Sequence, residues 1–431
     1  MYDEYFHGHP FCYHAMVHDM TACGAKRPWA EHNRGRCSIK RYEGCSMLVE
    51  TDAALRDFMA RCAKSPYMAI DTEFLREKTY YAKLCLVQIA IEGEVAIIDP
   101  LGIRDLSVMA PALSDPNIMK IFHASSQDIE ILYHETGVVP TPVFDTQVAA
   151  ALLGKTQQAS YASLVHTFCG VTLPKKDSFT DWSRRPLSDS QVEYAADDVT
   201  YLPKIYRDMV SRLKEKGRLS WLDDAFAEIS NPEKYEIDPR TRWRKLRRVN
   251  QLTPRQIAAA REFAAWREER AQKANIPRKW VVSDEQIVEA CRREARTLDE
   301  LYMVRGMRES LRPAEGRIVL KCIKCGLECA EEDLPVVQKA HKSEANVDIA
   351  VDLMNAIVHL RARQNRIAPQ TLAPQNELMK LARGHEEDCE LLTGWRYRVV
   401  GKELSAFLNG EFSLRLDDGN LVIDRPRKSA E

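Results

Sequence analysis

The chain has 431 residues, with 45% hydrophobic and 29% charged side chains and a formal net charge of −1. That length suggests two to four domains of ordinary globular composition. No run of about 18 apolar residues occurs, and the first twenty residues lack a basic stretch leading into an apolar core. A membrane span and a secretion signal are therefore not expected, and the cytoplasm is the expected location. Twelve cysteines are scattered along the chain, and lone Cys62, Cys85 and Cys169 in apolar stretches read as reduced core thiols.

Residues 1–46 are rich in His, Cys, Gly and Arg and show no helical or strand period. Cys12, His14, His18, Cys23, His32, Cys37 and Cys45 lack the paired spacing of a zinc site. A disordered extension, or a true start at Met47, remains open beside zinc. From Met47 to Leu55 the pattern is helix-like, with Thr51 as a cap. Strands are expected at Tyr67–Ile70, at Leu84–Ile91 with a return at Val95–Ile98, and at Ile118–Phe122. A helix follows from Asp128 to Thr136, then a brief strand at Val143–Phe144 and a helix from Thr146. Ser188 and Gln191 form an S-x-x-Q capping box for a helix reaching about Leu213, which Gly217 ends. Strands first, then alternating helix and strand, indicate an α/β domain with a mixed sheet over 47–213.

Residues 214–243, with Pro232 and Pro239, read as a linker. Two all-α bundles are expected beyond it, at 244–326 and 345–424, the second ending in a hairpin at Asp418-Gly419. Between Arg240 and Lys321 there are 21 Lys/Arg against 11 Asp/Glu. Such a bias fits a polyanionic partner; a solvated helical face of mixed charge is the competing reading. Cys322, Cys325 and Cys329 have the spacing of half a zinc site, with Gly326 as a helix-ending residue in the other reading.

Three acidic clusters carry the chemistry. Asp71 and Glu73 stand at i and i+2 at the end of an apolar strand, so they share a face. Asp128 lies at a strand-to-helix junction, where Ser125 or Ser126 can cap. Tyr194 and Asp198 share one face of the capped helix at i and i+4, with small Ala195 and Ala196 allowing close approach to a sheet. Asp197 points about 100° away. Converging carboxylates suit hard divalent cations. Two such ions activate water and offset charge on the attacking and leaving oxygens of a phosphodiester. Tyr194 offers a phenol to orient that water.

In that order DTEF, HASSQD and YAADD resemble the three exonuclease motifs of the DEDD superfamily, in its tyrosine branch. The similarity is closest to ribonuclease D and extends through TYYAKLCLVQIA, FDTQVAAALLG and FTDWSRRPLSDSQVEYAADDVTYL. It implies an RNase H-like exonuclease domain and two HRDC domains, the first on Leu252-Thr253, Trp266-Arg267 and Arg278, the second on Gly394-Trp395-Arg396 and Val400-Gly401. It implies 3′→5′ removal of nucleoside 5′-monophosphates from RNA, transfer RNA precursors included, by a monomer using two Mg²⁺ or Mn²⁺ ions. Asp71 would bridge both metals. Glu73 and Asp198 would hold the one carrying the water, and Asp128 the one at the leaving oxygen. Thr72, Phe74, His123, Arg184 and Arg185 are candidate substrate contacts. Core packing competes for Phe74, a structural hydrogen bond for His123, and a plain surface pair for the two arginines. A DNA exonuclease and a non-catalytic nucleic-acid binder are the alternatives.

Overall fold

The computed structural model describes residues 46–174, 180–335 and 346–424. The zinc, extension and start-site readings for 1–45 fall outside these residues. Among the described residues no helix is long and apolar enough to cross a membrane.

The first domain is a six-stranded mixed sheet in the order β1-β4-β3-β2-β5-β6. Strand β1 is Ser46–Val49, followed by helix α1 (Asp52–Cys62). Thr51 caps α1 as expected, but Met47–Val49 is a strand rather than the start of a helix. Its apolar residues pair in parallel with β4, a long-range contact that outweighs local helical preference. Strands β2 (Tyr67–Leu75), β3 (Lys83–Ile91) and β4 (Glu94–Ile98) form an antiparallel meander. Strands β5 (Met119–Phe122) and β6 (Val143–Asp145) extend the sheet in parallel on the other edge of β2. This places the end of β2 centrally, flanked by helix α2 (Ser126–Thr136) after β5 and α3 (Thr146–Leu152) after β6.

Beyond α4 (Tyr161–Cys169), the single helix expected from Ser188 to Leu213 is two. The capping box is present at the start of α5 (Asp189–Thr200), and a break at Tyr201 leads into α6 (Leu202–Glu215). Pro203 in the first turn of α6 lacks the N–H that a continuous helix needs.

Part of the expected linker at 214–243 is packed structure, while 231–242 is mostly exposed. Leu219, Leu222, Phe226 and Ile229 are buried in the core of the sheet domain, on a turn and α7 (Asp223–Ile229). The first bundle has its own core, built on α8 (Pro254–Ala274), α9 (Asp284–Arg292) and α10 (Pro313–Leu327). The second unit, with α11 (Asp348–Asn365), α12 (Gln375–Ala382) and α13 (Lys402–Leu408), shares one continuous core with the sheet domain. Trp221 stacks on Trp395 with centroids 4.6 Å apart, and Arg218 donates to the Leu152 carbonyl (2.9 Å) and the Asn365 carbonyl (2.6 Å). The hairpin expected at Asp418-Gly419 joins Ser413–Asp417 to Asn420–Asp424.

Gly326 does not end a helix. It lies inside α10, buried against α8, where a Cβ would stand 2.3 Å from the Ala259 backbone. Cys322 and Cys325 therefore lie on that helix and Cys329 just beyond it. No group of three His, Cys, Asp or Glu among the described residues is arranged to hold a metal ion as it stands.

Candidate active site

Asp71 and Glu73 emerge from β2 on the face covered by α5, whose Ala195 is fully buried against Leu86 and Ile97. The small side chain lets α5 approach the sheet, which brings Tyr194 and Asp198 over the same strand end. Asp128, in the first turn of α2, is buried and accepts a 2.5 Å hydrogen bond from the Thr72 hydroxyl. The three motifs thus come close enough for Asp71, Glu73, Asp128 and Asp198 to repel one another.

The electrostatics of that cluster are adverse. Burial, with repulsion from Asp128, Asp198 and Glu73, holds the Asp71 carboxyl well above its usual range. Burial, with repulsion from Asp198 and Asp128, pushes Glu73 up to about 8. Burial pushes Asp128 to about 7 against the opposing Thr72 hydrogen bond, and raises Asp198 to about 7 with help from Asp197. Four desolvated carboxylates without a cation are costly. Tyr194 is raised by burial and by Asp198, Glu73 and Asp71, so it keeps its proton at neutral pH. Its ring leans on buried Trp182, with centroids 6.0 Å apart.

The donor set of four carboxylates fits hard divalent ions. They are not closed around a common point as they stand, so the fit rests on their chemistry and on their mutual repulsion.

The accessory residues divide. Thr72 is buried and serves Asp128, not solvent. Phe74 is half-buried against the core just after a bulge in β2, with the Arg76 guanidinium 6.0 Å from its ring centre. The His123 Nδ1 lies 3.0 Å from the Thr146 hydroxyl, and burial lowers its pKa, which favours the neutral ring. Arg184 is exposed, with Asp181 3.3 Å away. Arg185 is not free to hold phosphate. It forms a two-point ion pair with buried Asp99 and donates to the carbonyls of Cys85, Trp182 and Arg184. It braces the loop leading into α5.

Three participants escaped the sequence reading. Asp145 accepts from the Ala124 and Ser125 N–H groups and the Ser125 hydroxyl, and caps α3. It thereby holds Ala124 at φ +59°, a strained value for a residue with a side chain. It also takes the hydroxyl that was expected to cap α2. Tyr161 donates to the Asp197 carbonyl at 2.8 Å, and its phenol is raised by burial and by Asp198 and Asp71. Gln88 pairs with Asp71 across the β2–β3 ladder and is fully buried, with neither amide atom hydrogen-bonded. Its one visible signal is polarity within an otherwise apolar strand.

The 3′–5′ exonuclease family matches residues 47–214, and the HRDC domain family matches residues 256–323. Ribonuclease D of Sphingobium indicum is 37% identical over 382 residues, covering 88% of this chain and 98% of that protein. Ribonuclease D of Granulibacter bethesdensis is 38% identical, covering 89% and 97%. The crystal structure of Escherichia coli RNase D, an exoribonuclease involved in structured RNA processing, superimposes with a TM-score of 0.74 at 30% identity, covering 85% of this chain and 99% of that one. The chain belongs to the ribonuclease D family. It is a 3′–5′ exoribonuclease with an RNase H-like catalytic domain followed by a helical HRDC region, and it belongs to a divalent-metal-dependent class of nucleases.

Metal removal has a consequence for stability. The unfolded carboxylates titrate in their ordinary range, near 4. In the folded protein burial raises them, up to about 8 for Glu73 and about 7 for Asp128 and Asp198. The folded, metal-free state therefore holds more protons between those limits, and its stability falls as pH rises through that window. A divalent ion competes with those protons, so the gain in thermal midpoint on adding Mg²⁺ is expected to grow from about pH 6 to about pH 8.5. Differential scanning calorimetry in chelator and in Mg²⁺ reads this directly. A gain that does not vary with pH would contradict it.

Proposed function

We propose that the chain trims single-stranded 3′ ends of RNA, transfer RNA precursors among them, by two-metal-ion hydrolysis at Asp71, Glu73, Asp128 and Asp198, with Tyr194 positioning the water. The observation that supports this most is the gathering of four desolvated, mutually repelling carboxylates under α5 beside a protonated phenol. When bound, two Mg²⁺ or Mn²⁺ ions would make hydroxide available near neutral pH and offset charge on the leaving 3′ oxygen. Asp71 would bridge them, Glu73 and Asp198 would hold the ion on the water side, and Asp128 the ion on the leaving side. Thr72 fixes the Asp128 carboxylate through its hydrogen bond. The Tyr194 hydroxyl, kept protonated, offers the water a fixed partner.

The second helical unit is proposed as a second HRDC-like domain. Both units open on a long helix ending in a left-handed residue, Asn275 in one and Arg366 in the other, followed by a proline and a short helix.

The test is degradation of 5′-labelled single-stranded RNA and DNA of the same sequence with Mg²⁺. Stepwise shortening of RNA with release of nucleoside 5′-monophosphates is expected, with DNA consumed more slowly. Equal or faster loss of DNA would overturn the RNA assignment.

A further inference from the structure

A cleft of about 640 Å³ lies between the exonuclease domain and the first bundle. Arg76 and Tyr80 line it from the exonuclease side. Arg242, Arg247, Arg278 and Lys279 line it from the bundle, beside the Arg267–Asp284 ion pair and Glu285. Arg76 is three residues beyond Glu73 on the chain that leaves β2, about 10 Å of extended backbone away.

The two walls are fixed against each other. The Asn275 side-chain oxygen accepts from the Tyr80 and Tyr81 backbone N–H groups at 3.1 and 3.0 Å. The Tyr80 hydroxyl donates to the fully buried Glu268 carboxylate, which also pairs with Arg242 (3.2 Å) and Arg278 (3.3 Å). Those two guanidiniums and Arg76, which pairs with Glu130 at 2.8 Å, are held in place at the cleft. Arg247 and Lys279 are exposed, and among the described residues neither has an ion-pair partner. Sharing Arg76 and Tyr80 with the cleft is a recess of about 320 Å³ lined by Tyr81, Tyr133 and Tyr235. Cations beside aromatic rings are the combination that holds single-stranded nucleic acid without reading its sequence.

We propose that this cleft seats the phosphates of the RNA strand upstream of the nucleotide being removed, with Arg247 and Lys279 as the free phosphate contacts. The proposal rests on the exoribonuclease reading of the carboxylate pocket. An exonuclease working from the 3′ end must lead the remaining strand away from its pocket, and this cleft begins where β2 ends. On this proposal a dinucleotide engages the carboxylates alone, and a longer RNA continues past Arg76 towards Arg247 and Lys279.

The experiment compares initial rates on a dinucleotide and on an RNA of about a dozen nucleotides, for the full chain and for the Arg247→Ala/Lys279→Ala double variant. The variant is expected to raise KM for the long RNA roughly tenfold and to erase its advantage over the dinucleotide. The log–log salt dependence of long-RNA binding is expected to flatten by about 1.4, the share of two phosphate contacts on a single strand. An unchanged length preference overturns the proposal. So does equal loss on both substrates accompanied by a fall in thermal midpoint. Failure of the unsubstituted protein to cleave either RNA would overturn the reading of the carboxylate pocket instead, whatever the variant does.

Discussion

Asp71→Asn is expected to lower kcat on RNA by at least about 10³-fold, roughly 4 kcal/mol of transition-state stabilisation, while raising the thermal midpoint of the metal-free protein. The two halves have one cause. Asp71 lies at the centre of the acidic pocket and is repelled by Asp128, Asp198 and Glu73 at once. Removing its charge leaves shape and hydrogen-bonding capacity nearly intact and relieves repulsion in a desolvated site. The same removal takes away the carboxylate proposed to bridge two ions. Steady-state kinetics with Mg²⁺ and a melting curve in chelator read the two effects separately. A variant that loses activity because it unfolds would show the opposite shift in midpoint. One that keeps activity would remove Asp71 from the site.

Gly326→Val is expected to destabilise the first bundle by about 3 kcal/mol or more. A Cβ at this position would sit 2.3 Å from backbone atoms of Ala259 in α8, and backbone in the middle of a helix does not yield as a side-chain tip does. Both helices are pinned. A capping box starts α8, and Arg270 on α8 pairs with Glu315 on α10 at 3.0 Å. Because the bundle has its own core, melting is expected to split, with an early transition for the bundle and a later one for the remainder. Cleavage of a dinucleotide should survive conditions that abolish the preference for long RNA. A single unshifted transition would show that the helices accommodate the branch. Gly401 is the tightest site in the second unit, where a Cβ would meet the Leu391 carbonyl at 1.7 Å.

The candidate site residues were legible because their spacing matches secondary-structure periods. Asp71 and Glu73 share a strand face, and Tyr194 and Asp198 share a helix face. The Ser188–Gln191 box fixed where that helix begins. What stayed hidden depends on distant partners. Asp145 looks like an ordinary cap residue until the chain brings it against the Ala124–Ser125 turn, twenty residues away in sequence. Tyr161 reaches the candidate site only because the start of α4 comes up to the end of α5, where its hydroxyl bonds the Asp197 carbonyl. Met47 through Val49 have no strong local preference, and pairing with β4 decides their form. The segment from Leu219 to Ile229 looked like a linker because prolines follow it, yet its apolar residues belong to the main core. The arginine pair at 184–185 reads alike in sequence, but Asp99 stands opposite only one of them.

Asp71, Glu73, Asp128 and Asp198 are proposed to hold two divalent ions together. Anomalous diffraction from crystals soaked in Mn²⁺ tests this most directly. Two peaks about 3.5–4 Å apart are expected between β2 and α5, the nearer approach of both being to Asp71, and both should vanish in Asp71→Asn. Absence of peaks there, or Mn²⁺ bound away from these carboxylates, would contradict the account.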